Sequence, residues 1–433
     1  MREMKRTFCF VLTIILVLSC LSACTGEPVE QPRETTRIDS PVVQLETIEQ
    51  RRAAAESKMR TMMSVLWQVN EPLTFSFKNG SGDPSVDREK YITVLEPGKI
   101  YAGLPYTHGG GDDVSFAQLG ELMQNGVLSM DRINADLLSG SGGTTKVNNI
   151  ARIGNNCADA VFAAWSVVSS SITFANAANM TPKNGCIPVG DYKTVDDTVN
   201  HYGITRDICM ENGEDVMYAS YAQLQIADGL SVNTEKSGAH AMLVAQVNVV
   251  RDGDKIDPQE SYVLIHDQTG SYFKKGEKYW DDALGSDVYI MGGVDRKYTF
   301  QRLFNAGYLP VTCKEFIDPS PLPVEIVTDS EAEMELNYHS LFDGVIMSNY
   351  WIVSVTAQIL DSSGSVVQQG TCYNGDKNRN IFYLPRFTSE LEQSVINGTM
   401  KPYMLERGDY TLRLHCRLST GAEFLAREIT FTK

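Results

Sequence analysis

Hydrophobic positions recur with a helical period early in the chain. Ile48, Ala55, Met59, Met62 and Leu66 are spaced by seven, four, three and four residues. That spacing lines them up along one stripe of a helix of about seven turns. Ser40-Pro41 supplies an N-cap and a first-turn Pro, and Asn70-Glu71-Pro72 supplies a stop. Glu56 and Arg60 form an i,i+4 pair on the wet side. A second helical pattern begins at Cys157, with Val161, Ala164, Trp165 and Val168 on one face. Ser115 and Gln118 read as the capping box of a short helix that Asn125-Gly126 ends. Elsewhere the period is two. Tyr91 to Leu95 predicts a strand followed by the turn Glu96-Pro97-Gly98-Lys99. Ala239 to Val250 and Tyr262 to His266 are apolar, β-branched runs around Asp252-Gly253-Asp254, which predicts a hairpin.

After Pro310 the character changes. From Pro323 onward strict alternation sets in: Met334, Leu336 and Tyr338; then Val353, Val355, Ala357 and Ile359; then Tyr410, Leu412, Leu414 and Cys416. Gly364, Gly370, Gly408 and Gly421 mark turns. This predicts an all-β, immunoglobulin-like sandwich, and Gly408-Asp409-Tyr410 resembles a tyrosine corner. The fold class expected is therefore α+β followed by all-β. Residues 169–222 are turn-rich and read as an insert.

The first segment is an address. Phe8 to Leu21 is an apolar stretch behind a basic start, and at about 21 Å of helix it is too short for a bilayer core. Leu21-Ser22-Ala23-Cys24 resembles the lipobox of bacterial lipoproteins. That resemblance implies lipidation at Cys24 and anchoring on the outer side of a membrane without a spanning helix. Thr25 to Val42 is rich in Pro and acidic groups, has no aromatic residue, and reads as a disordered tether. The expected divisions are 1–23 signal peptide, 24–42 lipidated Cys and tether, 43–316 an α+β domain with an insert, and 317–433 the sandwich.

Composition narrows the chemistry. With 38 Lys+Arg against 54 Asp+Glu the net charge is -16, which excludes a counterion-displacing nucleic-acid binder. The six His are scattered, and neither C-x-x-C nor H-E-x-x-H occurs, so no metal and no cofactor is expected. Once Cys9, Cys20 and Cys24 are set aside, Cys157, Cys186, Cys209, Cys313, Cys372 and Cys416 remain. Cys372 with Cys416, and Cys186 with Cys209, are candidate disulfides in an exported chain.

Cys157 stands apart. It follows Gly154-Asn155-Asn156 and opens a helix, where free N–H groups favour a thiolate and can hold an oxyanion. A nucleophilic Cys needs a His base. With a hairpin turn centred on Gly253, His240 lies opposite His266 on one face, as base and orienter. Gln268 shares that face, and Asp267 points away.

Around these residues the chain resembles the NlpC/P60 cysteine peptidases. Gly103-Leu104-Pro105-Tyr106 with Gly109-Gly110, Asn156-Cys157-Ala158-Asp159, Ala227-Asp228-Gly229-Leu230, Ala239-His240-Ala241-Met242 and Val263-Leu264-Ile265-His266 are similar to that family's successive motifs. The resemblance covers about residues 99 to 270. It implies a papain-like fold, helices packed on an antiparallel sheet, with Cys157 as nucleophile, His240 as base and His266 as orienting residue. Tyr106, Asn156, Asp159 and Gln268 are the expected oxyanion and substrate-binding residues. The implied activity is hydrolysis of amide bonds in peptidoglycan stem peptides. Asn156 and Ala158-Asp159 depart from the usual Asp before and Ser-Gly after the nucleophile. That departure leaves open an amidase or acyltransferase on the same scaffold, or a non-catalytic envelope lipoprotein whose sandwich binds a partner.

Overall fold

The computed structural model describes residues 45, 47–76, 92–106, 123–128, 150–151, 154–169, 177–182, 185–194, 205–234, 238–322, 324–328, 338–374, 379–388, 395–396 and 400–433. Expectations placed on Cys24, Ser40-Pro41, Ser115, Gln118, Gly109-Gly110, Met334 and Leu336 fall outside these residues. The architecture is mixed α+β and mostly sheet.

Helix α1 spans Ile48–Ser64. Thr47 caps it through a reciprocal capping box with Gln50, and Ala55, Met59, Met62 and Met63 form its buried stripe. The helix is shorter than its apolar stripe predicts. Leu66–Val69 is a strand, because it pairs with Ile100–Ala102 on one side and Val127–Leu128 on the other. Sheet pairing there overrides helix propensity. Asn125-Gly126 is likewise no helix stop. It turns a small hairpin between Met123–Gln124 and Val127–Leu128.

The next helices are α2 (Cys157–Trp165), α3 (Thr205–Asn212), α4 (Glu214–Tyr221), α5 (Ser271–Lys274) and α6 (Phe300–Ala306). Helices α3 and α4 fall at the end of the insert that sequence pattern left unassigned. The sheet that carries the site consists of β1 (Ile187–Pro188), β2 (Gly229–Thr234), β3 (Gly238–Asn248), β4 (Tyr262–Gln268), β5 (Gly292–Thr299) and β6 (Leu309–Thr312). Its order is β5-β4-β3-β2-β6-β1, antiparallel throughout. The hairpin expected around Gly253 is the β3–β4 pair.

Both faces of this sheet are covered. Ala241 and Leu243 of β3 join α1 and α2 in one core, whereas Met242 and Val244 join α3, α4 and α6 in another. A strand buried on both faces reads as a continuous apolar run, which residues 241–245 are.

A third core lies C-terminal, between two antiparallel sheets. One has five strands, in the order Val395–Ile396, Val366–Tyr373, Ile352–Asp361, Asp409–Leu418 and Glu423–Thr432. The other has three: Ile326–Thr328, Val345–Ser348 and Ile381–Tyr383. The alternating residues Val355, Ala357, Ile359, Leu412, Leu414 and Cys416 all point into it. The Tyr410 phenol donates to Glu406 O at 3.1 Å, as a tyrosine corner would.

The β-rich region is tied to the first. Buried Arg51 of α1 donates to the carbonyls of Glu315, Asp318 and Ser320, and Ser419 Oγ donates to Ser166 O.

The six described cysteines are all free thiols. Cys372 and Cys416 are both register partners of Val355, one strand away on either side. Two strand spacings, roughly 9.5 Å, exceed what a disulfide can span. Cys186 and Cys209 belong to cores on opposite faces of the sheet, so that expected pair is also absent.

Candidate active site

The nucleophile candidate is placed as its sequence context predicts. Asn156 caps α2: its Oδ1 accepts from the N–H groups of Ala158 and Asp159, at 2.9 and 3.1 Å. The cap does not use the Cys157 N–H, which stays at the helix start beside its own sulfur. The Asn156 amide donates to Asp159 Oδ2. Burial raises the Asp159 carboxyl to about 7, against a lowering effect from the Asn156 backbone. Asn156 and Asp159 thus shape the helix start, the Asn156 side chain capping the backbone and bonding one Asp159 oxygen.

The Gly103–Tyr106 segment runs alongside. Gly103 N donates to Val65 O, Leu104 N to Met62 O, and the Trp67 indole to Gly103 O. A Cβ at Gly103, whose φ is +91°, would come within 2.6 Å of the Met63 carbonyl. Glycine there permits the close approach. Tyr106 forms a parallel bridge with Asn155, two residues ahead of the nucleophile. Burial raises the pKa of the Tyr106 phenol, and the Cys157 sulfur adds to this while His240 opposes it. Tyr106 therefore stands near the Cys157 sulfur and the His240 ring.

His240 meets a different partner from the one expected. Nearest the turn, β3 and β4 pair as Asn248–Tyr262, Val247–Val263 and Gln246–Leu264. That register would put His240 on the face of His266. Between Val244 and Gln246 the ladder slips, with Ala245 as the extra residue, and beyond it Val244 pairs with Ile265 and Met242 with Asp267. One residue of slip exchanges the faces of every side chain that follows. His240 lies two residues past Met242 on the same face, and so on the face of Asp267.

The His240 Nε2 is 2.6 Å from Asp267 Oδ1. Burial alone would lower the His240 pKa. The Asp267 charge, the Cys157 sulfur and hydrogen bonding to both outweigh burial and hold the imidazole well above its ordinary value. With Nε2 taken by Asp267, Nδ1 is the ring nitrogen left for the sulfur. The His240 side chain is 24% exposed and Asp267 3%, so the pair sits at the rim with its carboxyl inside. Tyr298 and Tyr308 also feel the charges of His240 and Asp267.

His266, expected to face His240, does not meet it. It is fully buried on the α1 side, where its Nε2 is 2.8 Å from Glu56 Oε1. Glu56 also accepts from Arg60, which continues to Asp295 at 2.8 Å. Burial lowers the His266 pKa, partly offset by Glu56. Gln268, also fully buried, donates to Leu104 O at 2.9 Å and Asn155 Oδ1 at 2.8 Å. It braces the Gly103–Tyr106 segment against the residues preceding Cys157.

The Ala227-Asp228-Gly229 match holds a structural knot. Asp228 forms a buried ion pair with Arg52 of α1 at 2.7 Å. The Trp165 indole donates to Ala227 O, and Gly229 leaves the room that Met180 and Trp165 fill.

Sequence reasoning missed Asp267 and Tyr272, whose phenol donates to Asp267 Oδ2 at 2.8 Å. Adjacency to His266 was the one available signal for Asp267. Among the described residues no His, Cys, Asp and Glu cluster could hold a metal ion, and no helix is long and apolar enough to cross a membrane. No protein-family model matches the chain, and neither a curated protein nor a solved structure matches it.

Proposed function

We propose that this chain is a lipid-anchored thiol hydrolase that cleaves amide bonds in peptidoglycan stem peptides, on a papain-like scaffold of the NlpC/P60 kind. One observation carries the reading: the His240 ring is bonded to the Asp267 carboxyl and interacts with the Cys157 sulfur, which opens a helix. A triad needs a nucleophile, a base and a group that orients the base. Asp267 takes the orienting role in place of His266.

The Cys157 sulfur attacks the amide carbonyl carbon and its proton passes to His240 Nδ1. The oxyanion so formed is met by the Cys157 N–H and the positive end of α2. His240 then protonates the leaving amine as the C–N bond breaks, which leaves a thioester on Cys157. Water, deprotonated by His240, attacks the thioester. The carboxylic acid departs and the thiol regains its proton. Tyr106 borders the carbonyl, and Asp267 keeps the ring in register throughout. The Cys24 anchor and the tether would hold the catalytic part beside the wall outside the cytoplasm, with the C-terminal sheets gripping wall or an envelope partner.

The test is digestion of purified sacculi with the wild-type chain and with Cys157→Ala, followed by muropeptide mass analysis. Wild type should release cleaved stem peptides, each gaining one water, and the variant should release none. Equal release from both removes the reading.

A further inference from the structure

Asp267 has two carboxyl oxygens, and His240 uses only one. The other accepts from Tyr272 at 2.8 Å. Several neighbours hold that phenol in place. Ser271 N, at the start of α5, donates to Thr269 Oγ1, and Glu277 N donates to Tyr272 O. The Arg296 guanidinium stands 4.3 Å over the Tyr272 ring and is itself bonded to Glu277 at 2.8 Å. On the other side Gly293 is the register partner of Asp267 on β5, and a Cβ there would come within 2.6 Å of the phenol oxygen. Glycine at 293 leaves the space that the phenol occupies. Burial first, and the Asp267 charge second, push the Tyr272 pKa up, so the phenol remains a donor across the working range.

A carboxyl held at one oxygen can still turn about its Cβ–Cγ bond. A second bond at the other oxygen fixes its plane. We propose that Tyr272 is a positioning residue of this site: it fixes Asp267 and, through Asp267, the His240 ring that faces Cys157. The inference takes its purpose from the thiol-hydrolase reading, but its test needs no substrate.

Two quantities are followed in the full chain: the titration midpoint of His240 by imidazole NMR, and the rate of Cys157 alkylation by iodoacetamide against pH, read by peptide mass. Tyr272→Phe keeps the ring and removes the donor. It should move the His240 midpoint by about half a unit or more and slow neutral-pH alkylation roughly three- to tenfold. In an Asp267→Asn background the same substitution should change neither quantity, because its route runs through Asp267. A role confined to packing would give equal changes in both backgrounds. Should Tyr272→Phe not fold, 3-fluorotyrosine at position 272 retains shape and O–H. As a stronger donor it should draw charge from Asp267 and lower the His240 midpoint. Unchanged midpoints, or equal changes in the Asp267→Asn background, overturn the assignment. If sacculi stay intact while the midpoint moves as expected, the hydrolase reading falls and the positioning role stands.

Discussion

His240 Nε2 lies 2.6 Å from Asp267 Oδ1, whereas His266, the next residue toward the turn, faces the opposite side of the sheet and bonds Glu56. The two side chains that strand β4 offers at this point are thus divided between two networks. One network holds the candidate base. The other ties β4 to α1 through Glu56, Arg60 and Asp295.

Substitutions at these neighbours should therefore behave differently. Asp267→Asn removes the largest influence that raises the His240 pKa and leaves the lowering effect of burial, so the His240 midpoint should fall. Thiol-dependent turnover should fall by about 10²–10⁴-fold. His266→Gln should leave turnover within a few-fold and act on stability instead. NMR titration of His240, with kcat measured on the same variants, separates the two. A large loss of kcat in His266→Gln with none in Asp267→Asn would restore His266 as the orienting residue.

The Asp159 carboxyl gives a signed pH dependence. Its ordinary value is 3.8, and in the fold it is raised to about 7. Between those values the folded chain holds a proton that the unfolded chain has lost, so stability falls as pH rises from about 4 to 7 and the deficit stays constant above that window. Asp159→Asn removes this dependence. Urea denaturation at several pH values should show wild type losing stability relative to Asp159→Asn across that interval. A gap that widens with pH in the opposite direction would show Asp159 to be held ionised.

Arg52 and Asp228 form a buried pair joining α1 to the start of β2, and Arg52 also donates to Ile226 O and Phe316 O. Burial raises the Asp228 carboxyl, and Arg52 opposes it. Removing the cation alone strands a buried carboxyl, so Arg52→Met should cost about 3–5 kcal/mol. The double variant Arg52→Met with Asp228→Leu should cost less than Arg52→Met alone, because it leaves no uncompensated charge. Chemical denaturation of the three chains measures the difference.

Local patterns carried a good part of the architecture. The period of the apolar residues marked α1 and the buried stripe of Met59 and Met62, but not its cap, which is Thr47 rather than Ser40. The β-branched runs marked the β3–β4 hairpin, and Asn156 before Cys157 marked the start of α2. These features depend on neighbours within a few residues, which the sequence displays directly. The end of α1 was not legible, since Leu66 fits the helical stripe and only its strand partners decide otherwise. The disulfide pairs failed for a similar reason: spacing along the chain does not reveal that Cys372 and Cys416 flank the same residue of a central strand.

The amino-acid order by itself determined which residue types could do chemistry here and where two of them, Cys157 and His240, would stand on their own elements. Which side chain bonds the His240 imidazole was decided by tertiary structure alone. A single extra residue at Ala245 looks like any other small apolar position in its strand. Yet with a side-chain period of two it decides whether His266 or Asp267 reaches the imidazole. Which way a strand pair slips depends on what both faces of the sheet bury, and that is fixed only when α1, α2, α4 and α6 have packed against it.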